Sequence, residues 1–349
     1  MSEKIRVGFV GAGGIAGTHI GYLKTIPDVE IVALADPAEG ACEKLIKAQG
    51  IEGAKSFKDY HDILRMREID AISVCTPNWL HAQPTIEALR AGKHVMVEKP
   101  MAMTAREAKA MCEAAKKAKK VLTIGFQQRF RPQAQFIRRA VEEGQLGDVL
   151  YCRAHALRRR GIPSWGVFGR KELQGGGPLI DIGVHIIEVS HYLMGKPKPV
   201  AASASTYTYL GNKKPEATAP WGDWDWRTYT VEDLAVGFVR FDNGMTLSIE
   251  SSFAAHIEKE VFSTTLMGTK AGALLDHSAH IFTDYCGKMI NIEPQAFEKD
   301  EAFLVKMKTW INAIRGGPNM APGEDGMMVQ QILDALYLSS EKGREVAIK

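Results

Sequence analysis

A glycine-rich turn after the first apolar segment constrains the fold of this chain more than any other feature. Residues 5–10 are typical of a short buried strand, and Gly11-Ala12-Gly13-Gly14-Ile15-Ala16-Gly17 follows at once. This spacing fits the pattern G-x-G-x-x-G/A, in which the first glycine makes the turn and the second lets a pyrophosphate approach the backbone. The small third residue allows close helix–strand packing. The turn predicts a dinucleotide-binding βαβ unit with Gly11, Gly13, Gly14 and Ile15 at the pyrophosphate, on the amino end of a helix.

An acidic residue ends the second predicted strand. Asp36 follows the apolar segment 29–35, close to the separation of about 20 residues that the dinucleotide pattern expects. A carboxylate there accepts hydrogen bonds from both ribose hydroxyls and repels a 2′-phosphate, which favours NAD over NADP. The alternative is a helix-capping or loop acid, because Asp36-Pro37 is also a good helix start.

Strand-like and helical segments alternate up to Phe126, which predicts a doubly wound parallel sheet over residues 1–126. Ligands of such sheets bind at the carboxyl ends of the strands. After the glycine turn, the predicted strand ends carry, in chain order, Asp36, Thr76-Pro77-Asn78, Glu98-Lys99-Pro100 and Gln127.

Lys99 lies at one of these strand ends. Pro100 cannot donate to a sheet ladder, so the strand that begins at His94 should end before it. By itself this position leaves two possibilities, a solvated lysine or one that works on a bound ligand.

The second half of the chain has a different pattern. Five longer strand-like segments between residues 149 and 267, with a hairpin signal at Asp242-Asn243-Gly244, predict a large, mostly antiparallel sheet. We therefore expect an α+β domain over residues 127–349. Two helices near its end, over 302–315 and 326–341, are expected to pack on the sheet or back on the first domain.

A second candidate site follows a glycine run, Gly175-Gly176-Gly177-Pro178. Asp181 and His185 are four residues apart on the predicted helix, so both side chains should leave one face. A carboxylate beside an imidazole fixes its tautomer and raises its basicity, as a general base requires. Alone, such a pair is more often a surface hydrogen bond.

Composition excludes several classes of function. The net charge of +3 over 349 residues gives no reason to expect nucleic acid or a membrane surface as partner. The five cysteines are scattered without a C-x-x-C pair, which argues against a metal site and a disulfide framework. With neither a signal segment nor a long apolar span, a cytoplasmic protein is expected.

Taken together, these motifs resemble the Gfo/Idh/MocA oxidoreductases, relatives of glucose–fructose oxidoreductase and inositol dehydrogenase. The matching residues span about 5–195: the glycine turn, Asp36, Thr76-Pro77-Asn78 with His81, Glu98-Lys99-Pro100, and Gly176-Gly177-Pro178 through Asp181 to His185. Gln127-Gln128-Arg129-Phe130 departs from the Asn-Arg-Arg-Phe of many members.

The resemblance implies a Rossmann domain followed by an open sheet domain, with NAD as cofactor and a sugar or polyol as substrate. It also implies a catalytic set of Lys99, Asp181 and His185 between the domains. Oligomers, either homodimers or homotetramers, would form through the outer face of the second sheet. The expected cofactor contacts are Gly11, Gly13, Gly14, Ile15, Asp36, Thr76, Asn78, His81, Glu98, Lys99, Gln127 and Trp165.

Substrate contacts are expected from an insert that the resemblance does not explain. Arg158, Arg159 and Trp165 lie in it and would bind a polyhydroxylated or anionic substrate, or else only pack the loop. The stretch Trp221–Trp226 fits a sugar pocket or an oligomer rim equally well.

The sequence thus predicts an NAD-dependent dehydrogenase that acts on a secondary alcohol of a sugar or polyol. His185 would accept the hydroxyl proton, Asp181 would orient it, and Lys99 would donate to the same oxygen. Two alternatives share these motifs: a glycoside hydrolase or lyase that retains NAD and oxidises the sugar transiently, and a non-catalytic NAD-responsive regulator.

Overall fold

The computed structural model describes residues 4–217 and 219–348, which divide into two compact units. The first unit comprises the chain up to residue 127 together with 301–327, and the second comprises 128–300 and the chain from 328 onwards. The sequence left open where the segment after residue 300 packs. Its first helix belongs to the first unit.

Six parallel strands form the sheet of the first unit. In spatial order they run β3-β2-β1-β4-β5-β6. Their bounds are β1 (Ile5–Val10), β2 (Val29–Ala35), β3 (Lys55–Phe57), β4 (Ala71–Val74), β5 (His94–Val97) and β6 (Leu122–Ile124). The strand order reverses between β1 and β4, which is where doubly wound sheets bind their ligands. This confirms the predicted parallel sheet.

Helices connect these strands and cover the sheet. They are α1 (Gly14–Leu23), α2 (Ala41–Gln49), α3 (Tyr60–Arg65), α4 (Ala82–Arg90) and α5 (Ala105–Ala118). The start of α5 has the predicted capping box: Glu107 N–H donates to Thr104 Oγ1, and the Glu107 carboxylate accepts from Thr104 N–H.

Nine strands form the sheet of the second unit, in the order β14-β13-β12-β11-β7-β10-β9-β8-β15. All pairs are antiparallel except β7 with β10. Their bounds are β7 (Val149–Leu157), β8 (Pro199–Tyr207), β9 (Leu234–Phe241), β10 (Thr246–Ser252), β11 (Val261–Gly268), β12 (Ala271–Leu275), β13 (Ala279–Tyr285), β14 (Lys288–Ile292) and β15 (Val346–Ala347). The predicted, mostly antiparallel sheet is confirmed.

The predicted hairpin turn joins β9 to β10. Gly244 has φ +86°, a left-handed conformation that glycine adopts without strain, and Phe241 N–H donates to the Met245 carbonyl across the turn.

The remaining helices complete the two units. They are α6 (Pro132–Glu142), α7 (Lys171–Gln174), α8 (Val184–Leu193), α9 (Ala302–Ile314) and α10 (Gly323–Lys342). The unit boundary at residue 327 falls inside α10. Across the described residues, no helix is both long and apolar enough to cross a membrane.

The helix α9 supplies part of the hydrophobic core of the first unit, although it is remote in sequence. Met307, Trp310 and Ile311 are buried in the same cluster as Phe9 of β1 and Ile20 of α1. The fold of the first unit therefore depends on a segment that follows eight of the nine strands of the second sheet in the chain.

Truncating Trp310 should destabilise the first unit. Its side chain is fully buried, so Trp310→Ala leaves a large cavity and should cost about 3–5 kcal/mol in free energy of unfolding, measured by chemical denaturation. Val305→Ala, on the exposed side of the same helix, should change stability by less than about 0.5 kcal/mol. Equal effects of the two substitutions would contradict this account of the core.

Candidate active site

The glycine turn of the first unit has the geometry that a pyrophosphate site needs. Gly11 has φ +93°, and a Cβ there would lie 2.6 Å from the Cys75 carbonyl oxygen, so only glycine fits. Gly13 and Gly14 begin α1, and a Cβ on either would meet nothing within 4 Å. The backbone at the helix start is thus open to a phosphate, while the neighbouring Ala16 is buried against the sheet.

Asp36 is held in a fixed orientation at the end of β2. One carboxylate oxygen accepts from Ala12 N–H at 2.8 Å, and the other accepts from Ala38 N–H at 2.9 Å. Asp36 is not the helix cap considered above, because α2 begins only after Gly40. It lines a cavity of about 240 Å³ together with Glu39 and Glu43. Lys58 also lines this cavity, so three carboxylates face one ammonium group, and this net negative lining suits ribose hydroxyls better than a 2′-phosphate.

The turn after β4 is rigid. Thr76 Oγ1 donates to the Leu80 carbonyl at 2.9 Å, and Asn78 is almost fully buried. The ring nitrogens of His81, which is buried, lie 2.8 Å from the Thr76 carbonyl oxygen and 2.7 Å from that of Pro100. His81 therefore fastens the turn after β4 to the turn after β5 rather than offering its ring to a ligand.

Lys99 lies two residues after β5 and is half-buried, and its peptide bond to Pro100 is cis. The preceding residue, Glu98, is buried and places its carboxylate inside the unit. One carboxylate oxygen accepts from His19 Nε2 at 2.9 Å and from Lys306 Nζ at 3.0 Å. The other accepts from the backbone N–H of Lys99 at 3.2 Å.

Neighbouring groups keep the buried carboxyl group of Glu98 ionised. Burial by itself would raise the pKa of Glu98, but Lys306, and after it His19, hold that pKa well below its ordinary value. Glu98 is therefore a buried carboxylate at neutral pH. The sequence analysis did not find His19 or Lys306; the only signal for Lys306 was a charged residue on an otherwise apolar helix face.

In the second unit, a buried carboxylate also organises the glycine run before Asp181. Glu232 accepts from Gly177 N–H at 2.9 Å and Leu179 N–H at 3.1 Å, and Tyr337 O–H donates to it at 2.7 Å. A Cβ on Gly177 would lie only 2.1 Å from the Glu232 carbonyl oxygen, so this close approach requires glycine. Burial raises the pKa of Glu232 because no cation opposes it.

The helix that carries the candidate acid–base pair is not regular. We expected an α-helix from Pro178 onwards, but Leu179–Gly183 is a π-helical segment and α8 begins at Val184. The Pro178 carbonyl accepts a hydrogen bond from Ser251 Oγ at 2.9 Å. We attribute the wide turn to this bond, because it competes with the hydrogen bond that the same carbonyl would accept in a regular first helical turn. Asp181 in the wide turn is buried, and His185 in the first turn of α8 is half-buried.

An arginine and two tryptophans lie near this helix. The Arg158 guanidinium lies 4.1 Å from the centroid of the Trp221 ring, and Trp221 stacks on Trp165 with ring centroids 5.6 Å apart. Burial lowers the pKa of Arg158, whereas the carboxylates of Asp181 and Glu260 oppose that shift. Trp165 is 56% exposed, and Phe168 meets its ring edge-on with ring centroids 6.4 Å apart.

Other sequence-predicted residues have different surroundings. Arg159 lines a groove of about 740 Å³ with His256, Lys259 and Glu260, and this same Glu260 also interacts with Arg158. Gln127 is half-buried at the end of the first unit. Among residues 4–217 and 219–348, no group of three or more His, Cys, Asp or Glu side chains is arranged to hold a metal ion.

Known proteins of similar sequence are sugar and inositol dehydrogenases. D-glucoside 3-dehydrogenase of Escherichia coli (strain K12) is 40% identical over 350 residues, which cover 99% of this chain and 98% of that protein. The NAD(+)-dependent scyllo-inositol 2-dehydrogenase of Bacillus subtilis (strain 168) is 26% identical over 323 residues, covering 91% and 88%.

A solved structure of levoglucosan dehydrogenase in complex with NADH has the same fold. It superposes with a TM-score of 0.86 over 99% of this chain and 100% of its own, at 24% identity. Residues 5–126 match the oxidoreductase family with an NAD-binding Rossmann fold, and residues 138–348 match its C-terminal α/β domain. The resemblance drawn from the motifs is thereby confirmed: the chain belongs to the Gfo/Idh/MocA family of NAD-dependent oxidoreductases, whose named relatives act on the CH–OH groups of sugars and polyols.

Proposed function

We propose that the protein oxidises a secondary ring hydroxyl of a D-glucoside, or of a closely related pyranoside, to the ketone. The observation that carries this proposal is the edge of the NAD-binding sheet, where Lys99 follows the fifth strand. The second unit separately carries Asp181 and His185 on one helical segment. The substrate class follows from the 40% identity to D-glucoside 3-dehydrogenase, which extends over nearly the whole chain.

In the proposed mechanism, His185 accepts the proton of the substrate hydroxyl. Asp181 orients the imidazole and stabilises its positive charge, and Lys99 donates a hydrogen bond to the same oxygen as negative charge develops on it. Bound NAD⁺ supplies the hydride acceptor. The C–H hydrogen leaves with its electron pair, the O–H proton goes to His185, and a C=O bond forms.

Arg158, Trp165 and Trp221 are proposed to recognise the sugar. The largely exposed indole ring of Trp165 suits the C–H face of a pyranose ring. The Arg158 guanidinium, held over Trp221 and close to Asp181, can donate to ring hydroxyls. The assignment of Trp165 to the sugar rather than to the nicotinamide is part of this proposal.

Turnover assays test the function. With methyl glucosides or other D-glucosides and NAD⁺, we expect NADH and a keto-glucoside in equal amounts. Lys99→Met, Asp181→Asn and His185→Asn should each lower kcat by about 10²–10⁴-fold, since each removes a proton-handling group, while the Kd for NAD stays within about twofold. Lys109→Met, an exposed lysine of α5, serves as control.

The same assay separates the alternatives. Release of the aglycone without net NADH would favour a glycosidase that acts by transient oxidation. Binding of NAD without turnover of glucosides, free sugars or inositols would favour a regulator, and unchanged kcat in the three variants would contradict the proposed roles.

Asp36 is proposed to bind the adenosine ribose. Asp36→Ser removes a charged acceptor, so the Kd for NAD should rise about 10–100-fold and the preference for NAD over NADP should fall, both measured by titration. Glu52→Ser, an exposed acid elsewhere in the unit, should change neither quantity. An unchanged preference would show that Asp36 does not contact the ribose.

The outer face of the nine-stranded sheet is proposed as the contact between copies of the chain. Met267 and Phe282 lie on this face and are 42% and 37% exposed. Both pair with Gly272 of β12, one from β11 and the other from β13, so they belong to one row of residues across these strands. A charge on each, Met267→Asp with Phe282→Asp, should reduce the molecular mass measured by light scattering to that of a monomer. Met320→Asp, exposed in the first unit, should not. A wild-type monomer would contradict the proposal.

A further inference from the structure

Three ionisable side chains meet inside the first unit, away from solvent. Lys306 of α9 and His19 of α1 are fully buried, and Glu98 at the end of β5 is 6% exposed. We call them the Lys306–Glu98–His19 cluster. Burying ionisable groups costs free energy unless they are paired and hydrogen-bonded, so each contact within the cluster matters for the arrangement.

Both ring nitrogens of His19 have polar partners. His19 Nε2 lies 2.9 Å from Glu98 Oε1, and His19 Nδ1 lies 3.0 Å from Ser73 Oγ. Nε2 can donate to the carboxylate in one neutral tautomer and accept from an ammonium in the other, while the Ser73 hydroxyl can pair with Nδ1 in either. Burial, followed by Lys306, lowers the pKa of His19 to about 4, which keeps the ring neutral at physiological pH.

Lys306 completes the cluster from a distant part of the chain. Its Nζ lies 3.0 Å from Glu98 Oε1, 3.1 Å from His19 Nε2, and 4.7 Å from the centroid of the Phe303 ring. The amino group thus pairs with the carboxylate, and an aromatic ring covers it. Without Lys306, the Glu98 carboxylate would be a buried charge without a cationic partner from α9.

The cluster also contacts the main chain of Lys99. While Glu98 Oε1 is held by His19 and Lys306, Oε2 accepts the backbone N–H of Lys99 at 3.2 Å. Gly125 closes the other side, since a Cβ there would lie closer to Glu98 Oε1 than any side chain tolerates. The carboxylate therefore has little freedom, and neither has the main chain from which Lys99 projects.

We propose that Lys306 and His19 are positioning residues that fix Glu98, and through it the main chain of Lys99, in the geometry for proton transfer. The proposal rests on the proposed role of Lys99 in catalysis. His19 lies on the helix that follows the glycine turn, so the same contacts tie Lys99 to the cofactor-binding helix. A misplacement of a reacting group by about 1 Å costs about 10²-fold in rate, which sets the scale of the expected effect.

A purely structural role is the competing explanation, because an ion pair that only stabilises the unit would also be damaged by substitution. The two explanations differ in whether the effect depends on Lys99. Positioning acts through that side chain and vanishes without it, whereas a structural defect lowers activity whether or not Lys99 is present.

A double-mutant cycle on the full chain makes this distinction. We would measure kcat with saturating NAD⁺ and a D-glucoside for the wild type, Lys306→Met, Lys99→Met and the double variant. We expect Lys306→Met to lower kcat about 10–100-fold in the wild type, with the KM for NAD within twofold. In the Lys99→Met background, the same substitution should change kcat less than twofold.

Any of three other results would overturn the proposal. Equal losses in both backgrounds would show a structural role. If Lys306→Met has the full kcat while Lys99→Met has a low kcat, the positioning role is ruled out and the proposed function is unaffected. Full activity of Lys99→Met would refute the catalytic role of Lys99 and the positioning role with it.

A second variant covers the case in which Lys306→Met does not fold. Glu98→Gln combined with Lys306→Met removes both charges and leaves no unpaired one, so it should fold with nearly the wild-type volume in the core. We expect its kcat to fall at least tenfold with the thermal midpoint of unfolding close to that of the wild type. A folded double variant with full kcat would overturn the proposal.

Discussion

Parallel pairing of β1 with both β2 and β4 is the constraint on which the first unit depends. It places the carboxyl ends of the strands at one edge, with the reversal of strand order between β1 and β4. The turn at Gly11 must then pass within van der Waals distance of the Cys75 carbonyl, which excludes any side chain. The same edge carries Asp36 after β2 and Lys99 after β5, so the topology alone brings together the residues of this unit that we propose to bind the cofactor and to handle the proton.

Carboxylates that accept main-chain N–H groups fix the loops around both candidate sites. Asp36 holds the glycine turn through Ala12, Glu98 holds the peptide of Lys99, and Glu232 holds the run before Asp181. The charge states of the two buried glutamates differ because their partners differ. Lys306 keeps Glu98 ionised, whereas Glu232 has only neutral donors in Gly177, Leu179 and Tyr337, and its pKa is raised. The carboxylate of Glu98 therefore stays charged, whereas the hydrogen bonds that Glu232 accepts depend on its protonation state.

The features that the sequence predicted correctly depend on local chain geometry. The glycine turn, the capping box at Thr104 and the Asp242-Asn243-Gly244 hairpin each need particular residues at fixed short spacing. Hydrophobic patterns likewise located β2 and α9 within a residue or two. The strands β12–β14 were not predicted. Much of β13 and β14 is exposed, so they lack a clear alternation of buried and exposed residues, and their pairing across the sheet determines them.

The residues that sequence reasoning missed act through contacts remote in the chain. His19, Lys306 and Tyr337 have no motif of their own, and each becomes meaningful only when folding brings it to a carboxylate on another element. The irregular turn at Asp181 was missed for the same reason, since Ser251 of β10 takes the Pro178 carbonyl that a regular helix would use.

Remote contacts of this kind have a consequence for the order in which the site can form. Lys306 lies on a helix that the chain reaches only after eight of the nine strands of the second sheet, β7–β14, yet it pairs with a carboxylate next to Lys99 in the first unit. A chain that ends before α9 would lack both the cation that pairs with Glu98 and the Trp310 ring in the core. Because a buried carboxylate that loses its ion pair and a core that loses a large side chain both oppose folding, we expect the first 127 residues alone to be less stable than in the full chain, and the contacts that hold the main chain at Lys99 are complete only when α9 has packed.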